Sequence, residues 1–202
     1  MRFSSLEQTT TEYRIDFILY YLFCVTAVAV LLIEEPVDTY FFLLFCITAG
    51  AAGWTLLEYL LHRFILHGVA PFKDWHALHH DRPSALIATP LVLSLSLFFL
   101  LFTVPSWIYF GCWPALALTA GMMSGYLVYG LIHHAIHHNN TPWFTSAAWL
   151  SKRRVCHALH HATYNILRAD ESVSPCHFGV SIGLWDWVFH TNILRLQVNP
   201  KK

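Results

Sequence analysis

The chain has 202 residues, of which 56% are apolar and only 12% carry a formal charge, about half the charged share of an average soluble domain. Twelve bases balance twelve acids, which leaves no field suited to nucleic acid, and 15 Phe, 9 Tyr and 8 Trp exclude a disordered chain. Between Arg82 and Lys152 lie 69 residues without one Asp, Glu, Lys or Arg, while His, at 14 copies, outnumbers Lys and Arg together.

A transmembrane helix needs about 20 mostly apolar residues. The first candidate is Phe17–Ile33, a charge-free run of 17 closed by Glu34-Glu35-Pro36, and the second is Tyr40–Leu57, a run of 18. The long uncharged stretch holds two more, Leu91–Phe110 and Pro114–Ile132, separated by a turn signal at Gly111–Pro114. Four such runs leave too little polar chain to cover them in water. We therefore expect an all-α integral membrane protein with about four transmembrane helices, forming a single domain over residues 1–202. Lys and Arg fall only in the N-terminal segment, between Arg63 and Arg82, and after Ser151. Both termini and the middle connection are thus expected in the cytosol. The first sixteen residues carry three acids against two bases and do not read as a cleavable signal peptide. Cys24, Cys46, Cys112, Cys156 and Cys176 form no CxxC pair and read as small apolar residues in a reducing compartment.

The histidines follow from the spans. A helix starting at Tyr40 crosses a core of about 30 Å in about 20 residues and leaves it near Tyr59, so His62 and His67 stand at or beyond the cytosolic interface. The same count from Pro114 brings the fourth helix out at His133, and His134, His137 and His138 continue it. His76, His79 and His80 form one HxxHH set in the middle connection; His157, His160 and His161 form another near the C-terminus. Positions i, i+3 and i+4 share a helix face, so each set presents three imidazoles together, and His133 and His137 are likewise i, i+4. His62 and His67 are i, i+5, about 140° apart on a regular helix; they suit two different ions or a distorted turn.

Ten imidazoles (His62, His67, His76, His79, His80, His133, His137, His157, His160 and His161) suffice for two metal ions with about five nitrogens each. The expected architecture is four membrane helices with a cytosolic helical cap that holds a histidine-rich dimetal centre. His134 and His138, in the neighbouring helix column, are candidates to orient the ligands. So are Glu58, one turn before His62, and Asp186, between Trp185 and Trp187. His177 and His190 stand alone. Imidazole suits Zn, Cu, Fe or Ni. Without cysteine ligands, and with too many histidines for one tetrahedral ion, a structural zinc site fits poorly. Two irons that activate O2 account for the ligand number, and a site at the interface points to a membrane lipid as substrate. A metal transporter is the rival from another class, but none of the four apolar runs contains the ionisable residue that an ion path needs.

The run Glu58-Tyr59-Leu60-Leu61-His62-Arg63-Phe64-Ile65-Leu66-His67 is followed by His76-Ala77-Leu78-His79-His80. Tyr129…His133…His137-His138 and His157-Ala158-Leu159-His160-His161 come next. Together they resemble the histidine boxes of the fatty acid hydroxylase (sterol desaturase) superfamily. The ending Phe178-Gly179-Val180-Ser181…Leu184-Trp185-Asp186…Phe189-His190-Thr191 is similar to the tail of the fatty acid 2-hydroxylases. The resemblance covers roughly residues 54–193. It implies a membrane dimetal centre, with iron in the active form and zinc as an alternative occupant on isolation, that inserts oxygen from O2 at carbon 2 of an acyl chain. It carries the ligand role onto the same ten histidines and adds Tyr129 to the supporting residues. Many eukaryotic 2-hydroxylases carry a cytochrome b5 domain with a His-Pro motif. This chain has no His-Pro, so a separate cytochrome b5- or ferredoxin-like donor is expected. The connection between His67 and His76 is eight residues long, nearer to the carotenoid hydroxylases. Ring hydroxylation of a carotenoid or sterol is therefore the alternative within the class.

Overall fold

The computed structural model describes residues 7–138, 146–169 and 175–192. Among these residues helices carry the fold, and the one strand-like feature is an isolated bridge between Glu7 and Ile87. Four helical stretches are long and apolar enough to cross a membrane: Thr10–Glu34, Val37–Leu66, Leu91–Phe110 and Cys112–His138. They coincide with the four runs expected from the sequence. The described residues divide into two compact units, one built from those up to Trp54 with Leu86–Val128, the other from Thr55–Ala85 with those from Tyr129 onward.

The first unit is the apolar one. Helix α1, Thr10–Glu34, starts at a capping box in which the Thr9 hydroxyl accepts from the Glu12 N–H and Glu12 accepts from the Thr9 N–H. It buries Tyr20, Cys24, Ala27 and Leu31, which recur at helical spacing on one face. Ile18, Leu22, Val25 and Leu32 lie exposed on the others, as suits a helix surrounded by lipid. Helix α2, Tyr40–Leu60, and helix α6, Cys112–His138, meet through Leu43, Cys46 and Ala117, with Leu31 of α1 in the same cluster. A methyl added to Gly50 would run into the Leu118 carbonyl, one added to Gly121 into the Ile47 carbonyl, and one added to Gly125 would stand 2.6 Å from the Trp54 Cβ. Gly121 and Gly125 are four apart, the small-residue spacing that lets membrane helices pack backbone to backbone. Between these two helices in the chain, α4 (Leu91–Phe98) and α5 (Val104–Phe110) run on from each other through a π-helical turn, Phe99–Thr103. Pro105 has no N–H to offer a carbonyl four residues back, and that missing donor is the physical cause of the break in regular spacing.

The second unit holds the histidines. Helix α2 passes directly into a π-helical turn, Leu61–Leu66, and a short connection leads to α3, Phe72–Asp81. The end of α6 supplies Tyr129 to His138. Helix α7, Ala148–Ala169, buries Arg153, Cys156, His157, His160 and Thr163 on one face and leaves Val155, Leu159 and Ile166 exposed on the other. The segment 175–183 and the single turn of α8, Leu184–Val188, close the described chain. Val180 packs on Ile132 and Ile136, with Tyr129 and Leu150 around them.

Candidate metal centre

The ten histidines of the two triads and the two pairs come together in the second unit. The candidate ligating nitrogens of His62, His67, His76, His80 and His160 form one group and those of His79, His133, His137 and His157 another; within each group they lie within 4.8 Å of one another. His161 adjoins the second group, its Nε2 3.0 Å from His157 Nε2. The groups are neighbours: the rings of His76 and His79 are 5.6 Å apart, and those of His80 and His161 4.2 Å.

Each HxxHH triad is divided between the groups. His76 and His80 face the first and His79 the second; His160 faces the first and His157 the second. One helix face thus serves both sites, because positions i and i+4 of the first triad turn one way and i+3 the other. His62 and His67 both belong to the first group. The π-helical turn between them widens the coil to i, i+5 and stacks their rings at 5.2 Å.

The nitrogens face one another in a way that protons alone satisfy poorly. His76 Nε2 is 3.0 Å from His62 Nε2 and 3.1 Å from His80 Nε2, and His67 Nε2 is 3.1 Å from His160 Nε2. His157 Nε2 meets the Nε2 atoms of His133 at 3.2 Å, His137 at 2.9 Å and His161 at 3.0 Å. A neutral imidazole has one N–H and one lone pair, so His157 Nε2 can share a proton with one neighbour and not with three. His79 Nε2 is buried with no hydrogen-bond partner. Convergent lone pairs with an orphaned ring nitrogen are the donor set of a soft-to-borderline cation, and the residues fit a metal pair.

The outer nitrogens of two rings settle their tautomers. His62 Nδ1 donates to the Phe178 carbonyl at 2.6 Å and His160 Nδ1 to the Cys176 carbonyl at 2.8 Å. A carbonyl only accepts, so both rings carry their proton on Nδ1 and turn the Nε2 lone pair inward. Burial, reinforced by the neighbouring imidazoles, drives His76, His157 and His160 well below the ordinary histidine value. It takes His67 to about 3, His79 to about 2 and His161 to about 4. At neutral pH all six are uncharged, the form that binds a metal.

The carboxylates lie one bond further out than an imidazole partner would. Glu58, 3% exposed, accepts from Val180 N at 2.6 Å, from Ser181 N at 2.8 Å and from the Ser181 hydroxyl. Asp186 accepts from Phe178 N at 2.8 Å, Gly179 N at 3.0 Å and Thr191 Oγ1 at 2.8 Å. Burial raises the Asp186 carboxyl above its usual range, and these three bonds pull it back. Both acids therefore hold the backbone of residues 178–181. Tyr129 stacks on His133 at 5.8 Å and 7° between planes. His134 and His138 stack on each other at 4.5 Å and belong to neither group.

Two further residues carry the site. Arg153 is buried and donates from Nη1 to the Gly179 carbonyl at 3.2 Å. Tyr164 lies against His80, ring to ring at 4.1 Å, and against His67 at 5.1 Å. Helical spacing signals both, since Arg153 precedes His157 by four residues and Tyr164 follows His160 by four.

A family model described as fatty acid hydroxylase matches residues 47–191. The chain is 29% identical to fatty acid 2-hydroxylase of Rattus norvegicus over 73% of its own length and 39% of the relative's. It is 32% identical to the ceramide very long chain fatty acid hydroxylase SCS7 of Saccharomyces cerevisiae over 70% of its length and 36% of the relative's. It thus spans about two fifths of the length of these two relatives. A solved structure described as full-length scs7p, with only the hydroxylase domain visible, superposes with a TM-score of 0.70 at 25% identity, covering 93% of this chain and 68% of that one.

Proposed function

Because this chain belongs to the fatty acid hydroxylase family, we propose that it is an O2-dependent dimetal hydroxylase of the membrane that oxidises a lipid acyl chain at carbon 2. The observation that carries this reading is the pair of adjacent, buried, all-imidazole groups. His62, His67, His76, His80 and His160 would hold one ion; His79, His133, His137, His157 and His161 the other. When bound, a pair of iron ions supplies the O2 activation and C–H oxidation that no protein side chain offers.

The balance of the reaction is C–H plus O2, two electrons and two protons to C–OH and water. The electrons come from a cytochrome b5- or ferredoxin-like donor. The chain's own residues bind, orient and shield. His62 and His160 are held in one tautomer by peptide carbonyls, and Phe178 packs its ring against His62 at 5.7 Å and His160 at 5.3 Å, which keeps water from that side of the site. Imidazole ligands bring no charge of their own, so the ions stay strongly electrophilic. The distribution of Lys and Arg supports a cytosolic metal site and cytosolic termini.

The test is lipid analysis of cells that express the chain or its His160→Ala variant. A rise in 2-hydroxy acyl chains with the wild type and none with the variant is expected. An unchanged 2-hydroxy pool overturns the reading. Hydroxylated carotenoid or sterol rings in the same extracts would identify the alternative substrate, and metal uptake without lipid oxidation a transporter.

A further inference from the structure

The outer nitrogens of His62 and His160 end on peptide groups, one tied directly to the Asp186 carboxylate and the other tied to Asp186 through Thr191. The peptide that joins Phe178 to Gly179 accepts the His62 Nδ1–H on its carbonyl, at 2.6 Å, and donates its N–H to Asp186 Oδ2, at 3.0 Å. The peptide that joins Cys176 to His177 accepts the His160 Nδ1–H at 2.8 Å and donates its N–H to the Thr191 carbonyl at 2.9 Å. Thr191 is in turn fixed by Asp186 twice, through its N–H to the Asp186 carbonyl at 2.8 Å and through Oγ1 to Oδ1 at 2.8 Å. Asp186 is 1% exposed, so water does not compete for these bonds. The close approach needs Gly179: a Cβ there would stand 2.9 Å from Asp186 Oδ2 and would run into the Ile182 carbonyl.

Many metal-bound histidines give their free N–H directly to a carboxylate, which fixes the ring and strengthens the ligand. Here a peptide is inserted between the two. A peptide whose N–H is bound to a carboxylate is polarised, and its carbonyl accepts more strongly. We propose that Asp186 is a positioning residue for the first histidine group, acting on His62 through the Phe178–Gly179 peptide and on His160 through Thr191 and the Cys176–His177 peptide. The inference rests on the reading of His62 and His160 as ligands of one ion.

Asp186→Asn keeps the shape and replaces one accepting oxygen by a donor. In the detergent-solubilised holoprotein, transfer of metal to a chelator is expected to show one of the two ions leaving about 10–100-fold faster and the other unchanged. The variant is then combined with His62→Ala and with His137→Ala. With His62→Ala the first ion is already gone, and Asp186→Asn adds nothing to release of the second. With His137→Ala the acceleration persists in full. A purely structural role predicts equal acceleration in both backgrounds, and that result overturns the proposal, as does no acceleration in the wild-type background. Should Asp186→Asn fail to fold, Thr191→Val removes one of its bonds and leaves the carboxylate; it is expected to speed release of the same ion, and unchanged release from the folded variant overturns the proposal. Two ions retained by His62→Ala alone would overturn the ligand reading, and this inference with it.

Discussion

His62 and His67 stack at 5.2 Å although five residues separate them in the chain. A regular α-helix would set them about 140° apart and aim them at different places. The π-helical turn Leu61–Leu66 removes that offset at the point where the helix reaches the site. Extra residues in a helical turn cost regular hydrogen bonding, and such turns gather at functional sites.

If the two rings serve one ion, their deletions are not additive in metal content. His62→Ala and His67→Ala are each expected to lose one ion, and the double variant no more than one. His62→Ala with His137→Ala is expected to lose both. Metal-to-protein ratios from elemental analysis decide this; a double His62/His67 variant stripped of both ions would place the rings on different metals.

Acid should unfold the metal-free protein through these rings. His67, His79 and His161 titrate at about 3, 2 and 4 when folded, against about 6.5 when unfolded. Between those values the unfolded chain binds more protons than the folded one, so stability is present above about pH 6.5 and falls as the pH drops below it. Each such histidine steepens the fall by at most about 1.4 kcal/mol per pH unit. Denaturant unfolding of the apoprotein from pH 7.5 to pH 4.5 measures the slope, and His161→Gln should flatten it. A flat profile would mean that the rings are protonated in the folded apoprotein.

The spans were legible because four apolar runs of 17 to 20 residues leave too little polar chain to cover them as the core of a soluble protein, and the ligand types because the His76–His80 and His157–His161 sets share one spacing. Spacing tells which side chains share a face; it does not tell which ring each meets across the gap. That is why the division of His76 and His80 from His79 emerges only from the fold. The regular-helix rule left His62 and His67 open, since nothing in Leu61–Leu66 marks a wider turn. Glu58 and Asp186 stand out as acids in an apolar setting, but their partners are backbone amides of 178–181, and amides carry no sequence signal. Arg153 stands in a run of three bases, and only its four-residue spacing from His157 sets it apart from Lys152 and Arg154.

The contact between α2 and α6 should resist even one methyl group. At Gly121 the obstacle is the Ile47 backbone, which cannot move aside as a side chain would. Gly121→Ala is expected to cost about 1–3 kcal/mol by overpacking. Gly53→Ala is the control, since its nearest neighbour is the end of Met122 at an ordinary 3.8 Å. Thermal unfolding in detergent should fall for the first and hold or rise for the second, because alanine is the better helix former. Equal behaviour would mean that the helices do not pack as closely as this.

Glu58 should show the difference between losing an acceptor and losing a charge. Glu58→Ala leaves the Val180 and Ser181 amides and the Ser181 hydroxyl without their acceptor in a buried place. Each unsatisfied group costs about 1–3 kcal/mol, so the three together put the expected loss at about 3–9 kcal/mol. Glu58→Gln keeps one oxygen for the two amides, and the Ser181 hydroxyl can turn to accept from the new amide group. Its cost should stay near 1 kcal/mol, the scale of a typical hydrogen bond. Denaturant unfolding of both variants, together with their metal content, tests this. If glutamine is as damaging as alanine, the carboxylate acts through its charge and not by capping the 180–181 amides.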